Sequence, residues 1–305
     1  MRSDRMTYPE RDRAPRSRAV AATRKMPDLR APILSLLLAV ALLLSLALPG
    51  RAASREEVRD FLNVTGFDAA IDSISLSSDR GPAMLGLDDP GFATVWNLMA
   101  APVFDPAQMQ EMAVTMLQDT LDEEAIQTAH AFYGSELGRR LVEVENASHM
   151  DESEDRPELS EALLAHLIEE REVDRIAALD RLVSALDDTS DGVAAMAEVQ
   201  TRFMIAARDA GVIELRVDDE ALRDLIIQQF REMQSDNGSQ DAVAHAAWTY
   251  RDFTTEEIDA YAEALEDPAM QRVYELMNAV QYEVMADRFE TAAGLLEGAQ
   301  PGQEL

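Results

Sequence analysis

The sequence contains no cysteine, few aromatic residues and few basic residues. Without cysteine, the chain has no disulfide, thiolate nucleophile, iron–sulfur cluster, cysteine-ligated zinc or lipid-modified thiol. Phe, Trp and Tyr make up only 6% of the 305 residues and glycine occurs 13 times, a composition that suits helices better than sheets. The 27 basic residues face 58 acidic ones, and the net charge of −31 argues against a nucleic-acid partner.

The amino terminus has the layout of a secretory signal peptide. Arginines crowd residues 1–30, and an uncharged apolar run follows at residues 33–48. As a helix this run is about 24 Å long, shorter than a hydrocarbon core of about 30 Å. We therefore expect cleavage after Ala52 by the general secretion route, which places a periplasmic protein in solution without stable membrane insertion. The alternative is an inner-membrane anchor formed by residues 33–48.

Two consequences follow for the mature chain. Met26 begins a segment with a basic region of ordinary length, so the true start is either Met1 or Met26. Removal of residues 1–52 leaves 17 basic against 54 acidic residues and no lysine. This charge favours basic partners or divalent cations and disfavours polyanions and anionic lipid.

Helix-start and helix-stop residues recur along the mature chain, and no convincing strand pattern is found. Ser54 opens a capping box, Gly66 is a natural stop, and Asp105-Pro106 begins a further helix. The sequence predicts an all-α fold, a helical bundle built from two related helical halves. The expected parts are a signal peptide at 1–52, a first helical module at 53–150, an acidic linker at 151–157, a second helical module at 158–298 and a flexible tail at 299–305.

The second module carries two more specific predictions. The spacing of apolar residues predicts one helix from Glu158 to Leu186. Further on, it predicts a helix that ends at Gln234, before a loop at Asp236–Gly238.

An internal repeat supports the two related halves. Residues 121–147 align without gaps on residues 253–279, with six identities in 27 positions. The helix caps match as well, in the pairs Asp122 with Thr254 and Ser135 with Asp267.

The first copy of the repeat carries a motif of an aromatic pair, a capping serine, and a glycine followed by two basic residues and leucine. Its residues are Phe132, Tyr133, Ser135, Gly138, Arg139, Arg140 and Leu141. The stretch from Leu121 to Glu145 resembles the signature of an exported bacterial family called domain of unknown function number 2059. The resemblance implies a helical, periplasmic protein and transfers no catalytic residue. The second copy departs from the signature, with Ala264-Leu265 in place of the aromatic pair.

We interpret this motif as structural. Ser135 ends one helix and starts the next, the aromatic pair packs against it, and Gly138 lets the second helix approach closely. The alternative is that Tyr133 or the Arg139–Arg140 pair contacts a partner.

The sequence holds no recognised catalytic or cofactor motif. It lacks a Gly-x-Ser-x-Gly elbow, a phosphate-binding glycine loop, a His-Glu-x-x-His pair and the Glu-x-x-His pair of di-iron bundles. Its four histidines each stand alone in the sequence. We therefore expect no cofactor and no enzymatic activity.

One segment has the spacing of a calcium loop. Asp187, Thr189, Asp191 and Glu198 occupy positions one, three, five and twelve of such a loop. Thr189 departs from the usual Asp or Asn, so the predicted site would bind calcium weakly. Alternatively, Asp191 is an ordinary helix cap.

These features favour an exported, non-catalytic helical protein that interacts with another component of the cell envelope, such as an unknown envelope protein. The alternatives are a binding protein that responds to divalent cations through the calcium-like loop, and an envelope enzyme of unrecognised type.

Overall fold

Apolar residues recur at helical spacing, and in the computed structural model they lie on the buried faces of α-helices. The structure describes residues 53–87, 89–187 and 192–297. These residues form no strand, which confirms the predicted all-α fold class. The α-helices of this part of the chain are α1 Arg55–Thr65, α2 Phe67–Asp72, α3 Gly81–Met84, α4 Pro90–Ala100, α5 Pro106–Thr120, α6 Glu123–Tyr133, α7 Glu136–His149, α8 Arg156–Glu169, α9 Val173–Asp187, α10 Gly192–Asp209, α11 Asp219–Thr249, α12 Thr255–Leu265 and α13 Pro268–Gly294, and a 3-10 helix, Ser73–Arg80, precedes α3.

Short polar residues begin many of these helices, because their oxygens accept hydrogen bonds from N–H groups that lack a partner inside the helix. Ser54 forms the predicted capping box with Glu57 at the start of α1, and Gly66 ends that helix with a φ of 73°. Asp105 caps α5 ahead of Pro106. These signals are local, and each lies where the sequence predicts it.

The same local signals build the two copies of the repeat. Asp122 and Ser135 cap α6 and α7 in the first copy, and Thr254 and Asp267 cap α12 and α13 in the second. Each of the four side chains accepts a hydrogen bond from a backbone N–H of the first helical turn. Each copy therefore consists of two helices joined by a short turn.

The predicted single helix from Glu158 to Leu186 is wrong, because the chain turns at Arg171 and forms α8 and α9. Arg171 has a φ of 60°, the left-handed region that favours glycine. The N–H of Glu172 donates to the Leu167 carbonyl at 3.0 Å, and that of Arg171 donates to the Ile168 carbonyl at 3.2 Å. This is a Schellman motif, whose hydrogen bonds offset a backbone strain of about 1–2 kcal/mol.

The predicted loop at Asp236–Gly238 is also wrong, because α11 continues from Asp219 to Thr249. A glycine in a helix interior costs about 1 kcal/mol relative to alanine, and asparagine is also a weak helix former. Helix α11 packs against α8, α9 and α10. This tertiary packing outweighs the local preference for a turn.

Of the two hydrophobic clusters in the described residues, the larger extends from Ala53 to Leu296. Its largest side chain is Trp96 of α4, whose ring centroid lies 5.4 Å from Phe203 of α10 and 6.4 Å from Phe289 of α13. Gly81 lies against the indole ring, and Trp96 Nε1 donates to the Ser78 carbonyl at 2.6 Å. Helix α13 contacts α2, α5, α6, α10 and α12, so it lies at the centre of the packing.

No helix in the described ranges is sufficiently long and apolar to cross a membrane. The apolar run at 33–48, the cleavage site predicted at Ala52 and the tail at 299–305 lie outside the described residues.

Candidate functional site

A cleft of about 360 Å³ lies among α1, α2, α7, α9, α11, α12 and α13. Its apolar wall comes from Phe67, Ala70, Val183, Ala242, Ala246 and Met277. Its polar groups include one carboxyl, three phenols, two imidazoles and the side-chain amides of Asn146, Asn278 and Gln281. A mainly apolar wall with a few convergent polar groups is the usual composition of a small-molecule site.

Glu145 of α7 is the only aspartate or glutamate among the lining residues, and we call the site the Glu145 cleft. The Tyr250 hydroxyl donates to Glu145 Oε1 at 2.8 Å. Burial raises the pKa of Glu145, and hydrogen bonds from Tyr250 and Tyr261 oppose this only in part. Among the described residues, no arginine forms an ion pair with this carboxyl.

Three tyrosine hydroxyls meet beside Glu145. The hydroxyl oxygen of Tyr274 lies 2.5 Å from that of Tyr133 and 2.6 Å from that of Tyr261. The Tyr133 and Tyr261 hydroxyl oxygens are 3.3 Å apart. A hydroxyl both donates and accepts, so the three groups satisfy one another inside the protein. Tyr133 belongs to the first copy of the repeat and the other two to the second, so this triangle joins the two copies.

Burial raises the pKa of all three phenols and that of Tyr250. The nearby Glu145 carboxyl acts in the same direction, because a second negative charge beside it is unfavourable. The phenols therefore remain protonated at neutral pH. Tyr250, Tyr261 and Tyr274 line the cleft, where they present phenol groups that do not act as bases.

Ser148, His149 and His245 form the more exposed end of the lining. Arg156 Nη1 donates to the Ser148 carbonyl at 2.6 Å, and its Nη2 lies 2.9 Å from His245 Nε2. Partial desolvation and the positive charge of Arg156 both lower the pKa of His149 and of His245. Both imidazoles are therefore neutral at pH 7.

The contact between Ser148 and His245 does not have the geometry of an activated nucleophile. Ser148 Oγ lies 3.4 Å from His245 Nε2, but Arg156 donates to that hydroxyl and lies within 3.2 Å of both ring nitrogens. A general base needs a free lone pair directed at the hydroxyl proton. Here a guanidinium occupies that position, so the arrangement suits binding better than covalent catalysis.

The aromatic pair of the family motif packs into the same region. Tyr133 is 1% exposed. The Phe132 ring lies 5.1 Å from the Tyr133 ring and is stacked 5.6 Å from the Tyr261 ring of the second copy. Ser135 caps α7, and Leu141 is fully buried.

The two motif arginines lie on the surface. Arg139 donates to the Gly134 carbonyl. Arg140 pairs with Glu257 of α12 and lies 4.7 Å above the Phe253 ring. Arg140 thus connects the two copies of the repeat from outside.

Gly138 lies against the end of the preceding helix. A Cβ atom at this position would be 2.2 Å from the Phe132 carbonyl oxygen and 2.5 Å from Tyr133 Cα. No side chain fits in that space, so glycine allows α7 to start directly beside α6. The same close approach places Glu145 of α7 near the tyrosine triangle.

The predicted calcium loop falls mostly outside the described residues, which omit Thr189, Asp191 and the side chain of Asp187. Glu198, its twelfth position, lies on α10 and pairs with Arg223 at 2.8 Å. Within the described ranges, no group of three or more His, Asp and Glu side chains is arranged to hold a metal ion. Calcium binding by this loop stays a prediction, and calcium titration with Asp187→Ala as the control tests it.

Tyr133 is predicted from the sequence as a motif residue, whereas Glu145, Tyr250, Tyr261 and Tyr274 are not predicted as site residues. One signal was present in the repeat: Asn146 aligns with Asn278, and both line the cleft. A second signal is that the chain has only six tyrosines, four of which meet here. Neither signal specifies a cleft without the tertiary structure.

Comparison with protein families gives a match over part of the chain. The family model described as Uncharacterized protein conserved in bacteria (DUF2059) matches residues 107–165. These residues include α6, α7 and the whole motif, and the predicted resemblance is confirmed there. No curated protein matches the chain, and no solved structure does.

Proposed function

We propose that this chain is an exported protein of the bacterial cell envelope that binds a small molecule in the Glu145 cleft and catalyses no reaction. The observation that carries the proposal is the cleft itself, which combines apolar walls with hydrogen-bonding groups held by five different helices and the residue after α11. Because the helices already hold these groups in place, the protein loses little conformational entropy when a ligand binds.

The chemistry of the lining supports binding. Its phenols are protonated, and its histidines are neutral and lie close to a guanidinium. The carboxyl of Glu145 accepts a hydrogen bond from Tyr250. These groups recognise a ligand through hydrogen bonds and charge, without a nucleophile that a neighbouring base activates.

The amino-terminal sequence supports export. Residues 1–30 are basic, residues 33–48 are apolar and uncharged, and the match over residues 107–165 is to a bacterial family. Mass spectrometry of the protein released from the periplasm of a bacterial host tests this. We expect a chain that begins at Ala53, and an intact amino terminus in the membrane fraction would contradict cleavage.

Native mass spectrometry of the same periplasmic protein tests binding. We expect an adduct of a small molecule in the wild type and its loss in Ala242→Phe, since Ala242 is a half-buried cleft residue and phenylalanine would fill the space. Ala162→Phe is the matched control, because Ala162 is exposed on α8 and does not line the cleft. The proposal would be contradicted if the adduct persisted unchanged in Ala242→Phe, or if the wild type carried no adduct.

A further inference from the structure

We propose that the ligand of the Glu145 cleft is a small organic cation, an amine or a quaternary ammonium that carries an apolar group. The inference rests on the proposed function, because it names the ligand class for the same site. Its ammonium group binds at Glu145 and the tyrosines, and its apolar group packs against the cleft wall.

Within the described residues, Glu145 has no positively charged partner. Elsewhere in the described chain, carboxylates near arginine form ion pairs, such as Glu283 and Glu290 with Arg202. Glu145 accepts a hydrogen bond from Tyr250 but has no arginine partner among the described residues. A carboxylate removed from water without a counter-ion is costly. A cationic ligand supplies the charge that the protein leaves out.

The wall of the cleft beside Glu145 is aromatic. Tyr250, Tyr261 and Tyr274 all line the cleft beside Glu145. Aromatic rings attract ammonium groups through the ring quadrupole, and the attraction grows when the cation is removed from water. The negative charge of Glu145 and the negative faces of the tyrosine rings therefore favour a cation over an anion.

The size of the cleft and its apolar wall limit the kind of cation that fits. The cleft volume of about 360 Å³ lies at the lower end of the range for small-molecule pockets. Phe67, Val183 and Met277 give it an apolar wall that a bare metal ion or a simple ammonium ion would leave uncovered. The ligand therefore combines a positive charge with an apolar part.

The electrostatic field of the whole protein also favours a cationic ligand. The chain carries a net charge of −31, and such a field attracts cations from solution and repels anions. Arg156 carries a positive charge near the exposed end of the cleft, but it contacts Ser148 and His245 and also lies near Asp151. Its charge is thus partly neutralised inside the protein.

Isothermal titration of the mature, secreted protein with three matched probes tests the inference. The probes are 2-phenylethylammonium, the neutral 2-phenylethanol and the anion 3-phenylpropanoate, which share an aromatic group and differ in charge. We expect the cation to bind most tightly. Glu145→Gln should weaken the cation about tenfold or more, because it removes a hydrogen-bonded charge pair, and it should leave 2-phenylethanol unchanged.

Glu143→Gln is the matched control, because it makes the same change on the exposed face of the same helix. Equal or tighter binding of 2-phenylethanol or 3-phenylpropanoate by the wild type would overturn the preference for a cation. If that binding were lost in Ala242→Phe, the cleft would still be a binding site and the proposed function would stand. If the wild type failed to bind the cation at millimolar concentration, the inference would be overturned, whether or not Glu145→Gln folds. The adduct experiment tests the proposed function separately.

Discussion

Replacing Gly138 by alanine should destabilise the protein, although alanine is the better helix former. In a helix interior, alanine is worth about 1 kcal/mol more than glycine. At Gly138 the new Cβ would lie 2.2 Å from the Phe132 carbonyl oxygen and 2.5 Å from Tyr133 Cα, both rigid backbone atoms. Relief of the closer contact requires α7 to move by about 1 Å, and overpacking of this kind costs about 1–3 kcal/mol.

The displacement would also reach the tyrosine triangle, since the new methyl group would lie 2.5 Å from the Cα atom of Tyr133. Loss of one of its hydrogen bonds adds about 1 kcal/mol. The three contributions leave a net loss of about 1–3 kcal/mol in the free energy of unfolding.

Urea unfolding followed by circular dichroism measures this loss, as a lower midpoint at an unchanged slope. Gly294→Ala is the control, because nothing lies within 4 Å of the new Cβ at the end of α13. We expect that variant to be as stable as the wild type, or more stable by up to about 1 kcal/mol. If Gly138→Ala were as stable as Gly294→Ala, the argument from close helix approach would be refuted.

Three further predictions concern single side chains. Burial raises the pKa of Glu145 above its ordinary 4.5, so the folded protein binds this proton more tightly than the unfolded chain does. The stability that this proton contributes is present below pH 4.5 and is lost as the pH rises through the raised pKa. Glu145→Gln should therefore gain stability relative to the wild type as pH rises from 4 to 7 in thermal melts. Thr254→Ala removes the capping-box hydroxyl of α12 and should cost about 1 kcal/mol in urea unfolding. Arg202→Met breaks the pairs with Glu283 and Glu290 and should cost about 1–2 kcal/mol, less at high salt, because the guanidinium is only partly exposed.

Each of these predictions has a matched control. Glu143→Gln makes the same substitution on the exposed face of α7 and serves as the reference. A pH profile of Glu145→Gln that coincides with that of Glu143→Gln would refute the raised pKa of Glu145. Thr255→Ala changes the neighbouring hydroxyl, which does not cap α12, and an equal loss there would argue against the capping box. Arg216 is exposed in the connection between α10 and α11, so Arg216→Met is the control for Arg202→Met. An equal loss of stability in Arg216→Met would mean that the loss comes from the change in net charge and not from the broken ion pairs.

Local signals made much of the helical structure predictable. Ser54, Gly66 and Asp105 act through hydrogen bonds or backbone angles within a few residues, so their effects can be read without knowing the fold. The end of α8 was missed because Arg171 occupies a position where glycine is usual. The continuous α11 was missed because its packing against α8, α9 and α10 lies far away in the sequence.

The candidate site shows the same limit more strongly. Tyr133 and Tyr261 are 128 residues apart, and Tyr250 and Glu145 are 105 residues apart, yet their oxygens are in hydrogen-bond contact. No local pattern specifies such meetings, because each tyrosine by itself reads as an ordinary core residue of an amphipathic helix.

The amino-acid sequence by itself therefore determined the all-α class, the helix caps, the repeat and the family resemblance, all of which depend on short-range chemistry or composition. Tertiary structure alone decided where Glu145 lies, which hydroxyls surround it and that it lacks an arginine partner among the described residues. The physical reason is that a pKa, a cleft and a missing counter-ion are properties of the space between helices. That space exists only when α7, α11, α12 and α13 are packed together.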